Sequence, residues 1–339
     1  MAFDFKAVCM KWLTTGVAAV AISFTGCSKA PEADTGAGGK KTIVIGMVAK
    51  SQSNDVFQAA YAGAKDAAQQ LGAKYNANVT IDWRTPVDED AAKQVEAIEA
   101  LTRANVQAIL LSCSNADTLT PAIDAAVAKG VPVMCFDSDA PKSKRFAVYG
   151  TDDADCGRVI MAELAAAMNN KGTVAILGGN QSAPNLQNRV AGAKAELAKH
   201  PEMKLLESGG GVFYHEETPE KSAEAVANAT RANGQIQGWC FIGGWPLFTT
   251  DALRWPAGSI KVASCDALPA QLGYLKSGHV SSLMAQDCYG WGSKSVEIIL
   301  EKVVAGKDPS TAKIVDPLTK VTKENADEYG KSWEKWLKK

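Results

Sequence analysis

AILLSCSNADTLTPAIDAAVAKGVPVMCFDSD, residues 108–139, contains one complete unit of the fold. Ala108–Ser112 is short, apolar and bounded by polar residues, which reads as a buried strand. A helical pattern follows Thr120-Pro121, where Pro suits a first turn, and stops at Lys129-Gly130. Val131–Asp137 is a second apolar strand, and it runs out into the polar stretch Asp137-Ser138-Asp139. Strand, helix and strand in so short a span predict a parallel βαβ unit.

The alternation continues in both directions. Upstream, Thr42–Val48 and Val79–Trp83 read as strands. A helix starts near Asn54, carries Phe57, Tyr61, Ala64, Ala68 and Leu71 on one stripe, and stops at Gly72. Another runs from Asp88 with Val95, Ile98 and Leu101 inward. Downstream, Gly172–Gly179, Lys204–Glu207, Trp239–Gly243 and Lys261–Ser264 read as strands, and Asn185–Lys199, Pro219–Arg231 and Leu268–Lys276 as helices. The fold class is therefore α/β: two Rossmann-like, doubly wound parallel-sheet lobes of similar size. A chain of 339 residues with 46% hydrophobic and 22% charged residues supplies a core for each.

The N-terminus carries an export signal. Lys6 and Lys11 precede the apolar stretch Trp12–Phe24, which is short for a membrane span. It ends in Phe24-Thr25-Gly26-Cys27, similar to the lipobox of bacterial lipoproteins, which would make Cys27 the lipidated first residue and the membrane anchor. Phe24 stands where that pattern usually has Leu. The resulting division is a signal at 1–26, a linker at 27–40, an N-lobe of 41–149 and 287–305, and a C-lobe of 150–286 and 306–322. An amphipathic surface helix at 323–339 packs Trp333 and Trp336. The lobes are joined by crossings near Val148–Asp152, Gln286–Cys288 and Gly306–Thr311.

Composition removes several classes. With 36 basic and 37 acidic side chains and no basic block, no nucleic-acid surface is expected. Six cysteines lie beyond the signal and Cys27, with no CxxC and no neighbouring His, so no metal site is expected and they read as buried thiols. An enzyme is the alternative from another class, but Leu177-Gly178-Gly179-Asn180 lacks the third glycine of a dinucleotide loop. No Walker A or G-x-S-x-G segment is present, and no cofactor is expected.

In open parallel sheets ligands bind beyond the carboxyl ends of the strands. Those positions here hold Lys50 to Phe57, Trp83-Arg84, Ser112 to Asn115, Asp137-Ser138-Asp139, Trp245, Asp266 and Gln286-Asp287. Carboxylates and amides fix hydroxyls in direction, and aromatic rings pack on the C–H faces of a sugar. Asp137 and Asp266 also have the plainer role of capping the turn that follows, Arg189 that of an exposed helix charge, and Trp245 that of a core ring.

With these residues in this order the chain resembles the ribose-binding-protein type of periplasmic substrate-binding proteins, type I fold, which serve ABC sugar importers. Ser53-Asn54-Asp55-Val56-Phe57 is similar to that family's Asn-Pro-Phe-Phe loop, which implies ligand contact by Asn54 and Phe57, with Val56 replacing one aromatic. Gly130-Val131-Pro132-Val133 through Asp137 resembles its Gly-Ile/Val-Pro-Val strand and ligand Asp; Ser138-Asp139 follows where the ribose proteins have Arg, and Asp139 becomes a further candidate. Arg189 to Gly192 resembles the R-x-x-G helix start. Trp245 stands near a lost Asn-Asp site, Asp266 ends the equivalent strand, and Gln286 matches the hinge Gln. The resemblance implies an extracytoplasmic, monomeric, non-enzymatic lipoprotein in the periplasm or cell envelope. It would close a cleft on a small neutral sugar or polyol and deliver it to an ABC permease and its ATPase. A subunit presenting the bound sugar to a receptor is the alternative within this fold.

Overall fold

The computed structural model describes residues 40–337, so the signal, the linker up to residue 39 and Cys27 lie outside the described residues. In chain order the elements are β1 (Lys41–Val48), α1 (Asp55–Lys74), β2 (Ala77–Trp83), α2 (Ala91–Arg103), β3 (Ala108–Leu111), α3 (Ala116–Ala128), β4 (Val133–Phe136) and β5 (Ala147–Thr151). There follow α4 (Asp153–Ala167), β6 (Gly172–Gly179), α5 (Pro184–Leu197), β7 (Met203–Leu205), β8 (Val212–Tyr214), α6 (Pro219–Ala232) and β9 (Gly238–Phe241). The chain finishes with β10 (Lys261–Cys265), α7 (Pro269–Ser277), β11 (Ser282–Ala285), α8 (Cys288–Ala305), β12 (Lys313–Asp316), β13 (Thr319–Val321) and α9 (Ala326–Trp336).

Two sheets result. The first has the order β12-β5-β4-β3-β1-β2 and is parallel throughout. The second runs β13-β11-β10-β9-β6-β7, with β8 also on β6 and only β13 antiparallel. Each sheet is covered on both faces. Met47, Phe57, Phe136 and Trp291 lie in the cluster under α1 and α8, and Leu101, Ile109 and Ile123 in the one under α2 and α3. In the second lobe Ile160, Val190 and Cys240 form one cluster, and Val226, Trp239 and Leu275 the other. Fully buried central strands explain their unbroken apolar runs.

Several elements differ from the sequence expectation. α3 starts at Ala116, not after Pro121, because Asn115 accepts the Thr118 N–H at 2.9 Å and caps it; Pro121 sits inside the helix. α1 continues past Gly72 to Lys74. α4 occupies a stretch to which the sequence reading assigns no element. The third crossing is corrected: Gly306 is the left-handed cap of α8, and β12 beyond it pairs with β5 in the first sheet. The chain therefore changes lobe at 317–318. Tyr149, Asp287 and Asp316, one from each crossing, are joined there by hydrogen bonds of 3.1 Å.

One helix pair in each lobe touches backbone to backbone. A Cβ on Gly63 would overlap the Tyr289 carbonyl oxygen, and one on Gly292 that of Ala60, so α1 and α8 approach through glycine. Gly157 and Gly192 do the same for α4 and α5, against Arg189 and Ala154. Gly157→Ala and Gly292→Ala should each destabilise the fold by at least about 1–3 kcal/mol in chemical denaturation. Gly273→Ala, on α7 with open space around it, should be neutral or stabilising by up to about 1 kcal/mol.

Candidate functional site

The carboxyl ends of both sheets face one another, and equivalent residues end a central strand in each. Asp137 follows β4 with φ 54°, and Asp266 follows β10 with φ 63°. Asp tolerates this left-handed backbone better than most residues. Each Asp still donates its N–H to the neighbouring strand, Asp137 to Tyr149 O at 3.1 Å and Asp266 to Met284 O at 2.8 Å. The turn thus lifts the carboxylate clear of the sheet without breaking the ladder.

In the C-lobe the predicted residues form one network. Arg189, on α5 and 3% exposed, donates through Nε to Asp153 Oδ1 at 2.9 Å, through Nη1 to the Ile242 carbonyl at 3.2 Å and through Nη2 to Gln286 Oε1 at 2.7 Å. Gln286 donates in turn to Asp266 Oδ1 at 2.8 Å, and the Gly244 N–H reaches Asp266 Oδ2 at 3.3 Å. Burial raises the Asp266 carboxyl above its ordinary value, with Arg189 and Gln286 opposing. Burial also pushes Asp153 up to about 6, against the pull of Arg189.

In the N-lobe Asp137 accepts the Ser112 hydroxyl at 2.7 Å. Beside it stands Lys50, just beyond the end of β1. Its surroundings are set by Gln94, fully buried on α2, which donates to the carbonyls of Ala49 at 2.9 Å and Ser112 at 2.8 Å and so ties the ends of β1 and β3. The Lys50 side chain is 4% exposed and lies 3.9 Å from Glu89 of its own lobe and 3.8 Å from Glu217 of the other. Burial works against the ammonium, but Glu217, Glu89 and Asp137 outweigh it and hold its pKa above the ordinary lysine value. Glu217 is pushed up to about 7, by burial first and then by the carboxylates of Glu89 and Asp137, against Lys50.

A cavity of about 560 Å³ opens between the lobes at this point. Asn54 and Phe57 line it together with Lys50, Glu89, His215 and Glu217. Asn54 caps α1, accepting the Val56 N–H at 3.1 Å and keeping its amide donors free of that bond. Phe57 rests on Phe136 and Trp291, with ring centroids 6.4 and 6.3 Å away. Asp137, Arg189, Asp266 and Gln286 are not in the cavity wall. They form the buried polar layer next to it, and Asp137 and Arg189 act electrostatically on Lys50.

Two predicted residues serve other ends. Asp139 takes Arg145 through both carboxylate oxygens, Nε on Oδ1 at 2.5 Å and Nη2 on Oδ2 at 2.7 Å, so its charge is met inside its own lobe. Trp245 is a core ring, 5% exposed beside Leu186 and Val212. It supports the cavity from behind by meeting the His215 ring edge-on at 5.1 Å. His215 was not legible as a site residue, because a lone His in an exposed-looking loop carries no pattern. Its Nδ1 lies 2.6 Å from the Glu216 carbonyl and must donate to it, so Nε2 is an acceptor. That Nε2, Glu89 Oε1 and Glu217 Oε1 are all buried and without hydrogen-bond partners.

Comparison with known proteins comes to the same architecture. A family model described as a periplasmic binding protein domain matches residues 45–308. The chain is 24% identical over 257 residues to the xylitol-binding protein of Mycolicibacterium smegmatis, a match covering 74% of this chain and 70% of that one. It is 26% identical over 171 residues to the ribose import binding protein of Bacillus subtilis, covering 50% and 54%, so that alignment spans about half of each protein. Among solved structures, an ABC transporter solute-binding protein of Burkholderia graminis in complex with D-arabinose superposes with a TM-score of 0.77. It is 27% identical, and the match covers 85% of this chain and 97% of that one.

Glu217 makes stability depend on pH. Its folded-state pKa of about 7 exceeds the ordinary 4.5, so the folded form takes up the proton first as pH falls. Stability contributed by this group is therefore complete below its unfolded value and is lost as pH rises through the folded one. The melting temperature of the parent should fall more steeply than that of Glu217→Gln between about pH 5 and pH 8. Parallel slopes would show that Glu217 does not titrate in this window.

Proposed function

The chain belongs to the periplasmic binding protein family, and we propose that it captures a small neutral sugar or polyol between its lobes and hands it to an ABC importer. The observation that carries this reading is the set of three unpartnered acceptors, Glu89 Oε1, His215 Nε2 and Glu217 Oε1, on residues that share a cavity wall with the Lys50 ammonium. Buried acceptors without donors are costly, and a molecule dense in hydroxyls supplies donors to the carboxylates and imidazole and an acceptor to the ammonium. Phe57 offers an aromatic surface to the C–H face of the same molecule. The names of the relatives agree in kind: xylitol, ribose and D-arabinose are all neutral and polyhydroxylated.

Capture works through closure. Lys50 and Glu217 face each other across the lobes, and Ser138 Oγ of the N-lobe lies 3.4 Å from Asn185 Oδ1 of the C-lobe. A ligand held by both lobes binds the closed state more tightly than the open one and shifts the hinge toward closure. The importer then recognises the closed shape, and no bond of the sugar is made or broken. Asp137, Asp266, Gln286 and Arg189 enter this reading as the layer that orients the contacting groups. We place the protein outside the cytoplasm as a monomer, held to a membrane through lipidated Cys27.

A thermal-shift screen of neutral pentoses, hexoses and alditols should give at least one ligand that raises the melting temperature. With that ligand, calorimetry on Lys50→Met should show affinity lower by about tenfold to a hundredfold, the effect of losing one charge-assisted hydrogen bond, and Asp137→Asn and Asp266→Asn should also weaken binding, through the groups they orient. Asp139→Asn should bind like the parent, because Arg145 already occupies that carboxylate. A screen without a stabilising sugar, or full affinity in all three site variants, would overturn the reading.

The anchor has its own test. Cys27→Ser should move the protein from the membrane fraction to the soluble one and abolish metabolic lipid labelling. A parent protein that takes no lipid label would show that the signal is an ordinary secretory one.

A further inference from the structure

The six cysteines among the described residues are all free and buried. Four of them meet in pairs, one pair in each lobe. Cys113 Sγ lies 4.0 Å from Cys135 Sγ, and Cys156 Sγ lies 3.7 Å from Cys265 Sγ. Each pair sits behind a strand-end carboxylate. Cys135 is two residues before Asp137, while Cys113 follows Ser112, whose hydroxyl Asp137 accepts, and donates its own N–H to Ser138 O at 3.1 Å. Cys265 immediately precedes Asp266, and its sulfur lies 3.4 Å from Arg189 Nη1. One pair of small apolar residues packing as two thiols would be unremarkable. A pair in each lobe beside the strand-end carboxylate, one between the ends of β3 and β4 and one between α4 and the end of β10, asks for a common cause.

We propose that Cys113 with Cys135, and Cys156 with Cys265, are two cross-linking sites that close to disulfides when the chain folds in an oxidising compartment, bracing each strand-end carboxylate from behind. The compartment rests on the extracytoplasmic reading above, whereas the pairing rests on geometry alone. The oxidant is a disulfide, either a small molecule or a dithiol–disulfide oxidase. One cysteine thiolate attacks it to give a mixed disulfide and one released thiol. The second cysteine thiolate displaces the other oxidant sulfur. Each pair thus loses two protons and two electrons, and the oxidant leaves as two thiols. The sulfurs must close from van der Waals contact to about 2.05 Å, a movement that side-chain rotation and a small backbone shift can share.

The timing follows from burial. The Cys113 thiol is raised by its contact with Cys135 and by burial, and the Cys265 thiol by burial first. A thiol held protonated is a poor nucleophile. Cross-linking therefore belongs to folding, before the lobes close over the sulfurs, and a finished bond is shielded from reductants afterwards. Cys240 and Cys288 serve as internal controls that stay reduced.

The whole chain should be unfolded and refolded in parallel with glutathione disulfide and with a thiol reductant, then denatured, alkylated and mapped by peptide mass spectrometry. The expected oxidised product links Cys113 to Cys135 and Cys156 to Cys265, with Cys240 and Cys288 alkylated. It should melt higher than the reduced protein and show amide exchange at Asp137 and Asp266 slowed about tenfold. The double variant Cys135→Ser, Cys265→Ser should lose both differences. All six sites alkylated, other pairings, or equal melting and exchange in the two redox forms would overturn the proposal. None of these measurements involves a sugar, so their failure is separate from failure of the binding role.

Discussion

Two helices can approach backbone to backbone only where a glycine faces the other helix at each contact, and both lobes are built around such a crossing. Gly63 and Gly292 set the distance between α1 and α8, and Gly157 and Gly192 that between α4 and α5. These helices are the ones that matter for the cavity. α1 is capped by Asn54 and carries Phe57, and α8 is capped by Asp287 at the crossing. α5 carries Arg189, and α4 begins at the residue that Arg189 holds, Asp153. The close crossing therefore brings a crossing between lobes and a site-forming helix start into fixed register. A larger residue at any of the four positions would push the paired helices apart.

Within that frame the site is an unequal distribution of charge. Carboxylates at Glu89, Asp137, Asp153, Glu217 and Asp266 gather around two buried cations, Lys50 and Arg189. Arg189 is engaged through all three of its nitrogens, by Asp153, the Ile242 carbonyl and Gln286. Lys50 is not: its carboxylate neighbours stand at 3.8–3.9 Å, beyond hydrogen-bond reach. The first arrangement is a finished structural network and the second an unfinished one. Buried polar groups left unfinished in a native protein call for a partner, and in the proposed binding role that partner is the ligand.

Much of this was legible in the sequence, for physical reasons that differ by element. The apolar runs at Thr42–Val48, Ala108–Ser112 and Val131–Asp137 read as buried parallel strands because helical patterns separate them, and the strand-end rule together with the family resemblance points to Asp137 and Asp266. α4 was missed although Asp152 caps it and Ile160, Met161 and Leu164 line its buried face; its alanine-rich pattern has weak contrast between faces. Pro121 drew the start of α3 too late, since a first-turn preference is not a prohibition further in. Lys50, Glu89, His215 and Glu217 come together only through packing between lobes, and no spacing along the chain announces that. Asp139 and Trp245 show the converse: a functional residue type at a plausible position, with its interactions already spent locally on Arg145 and on the core.

The last helix has a mechanical meaning. α9 stacks Trp336 on Tyr289 of α8 at 5.7 Å and buries Trp333 in the first lobe's core, while Asp327 reaches Lys276 of α7 in the second lobe at 2.5 Å. It spans the joint like a leaf spring fastened at both ends. A swing of the lobes would have to slide or unseat one of those attachments, so α9 opposes it. Lengthening or loosening this one surface element would retune the working range of the molecule without touching a single residue of the cavity.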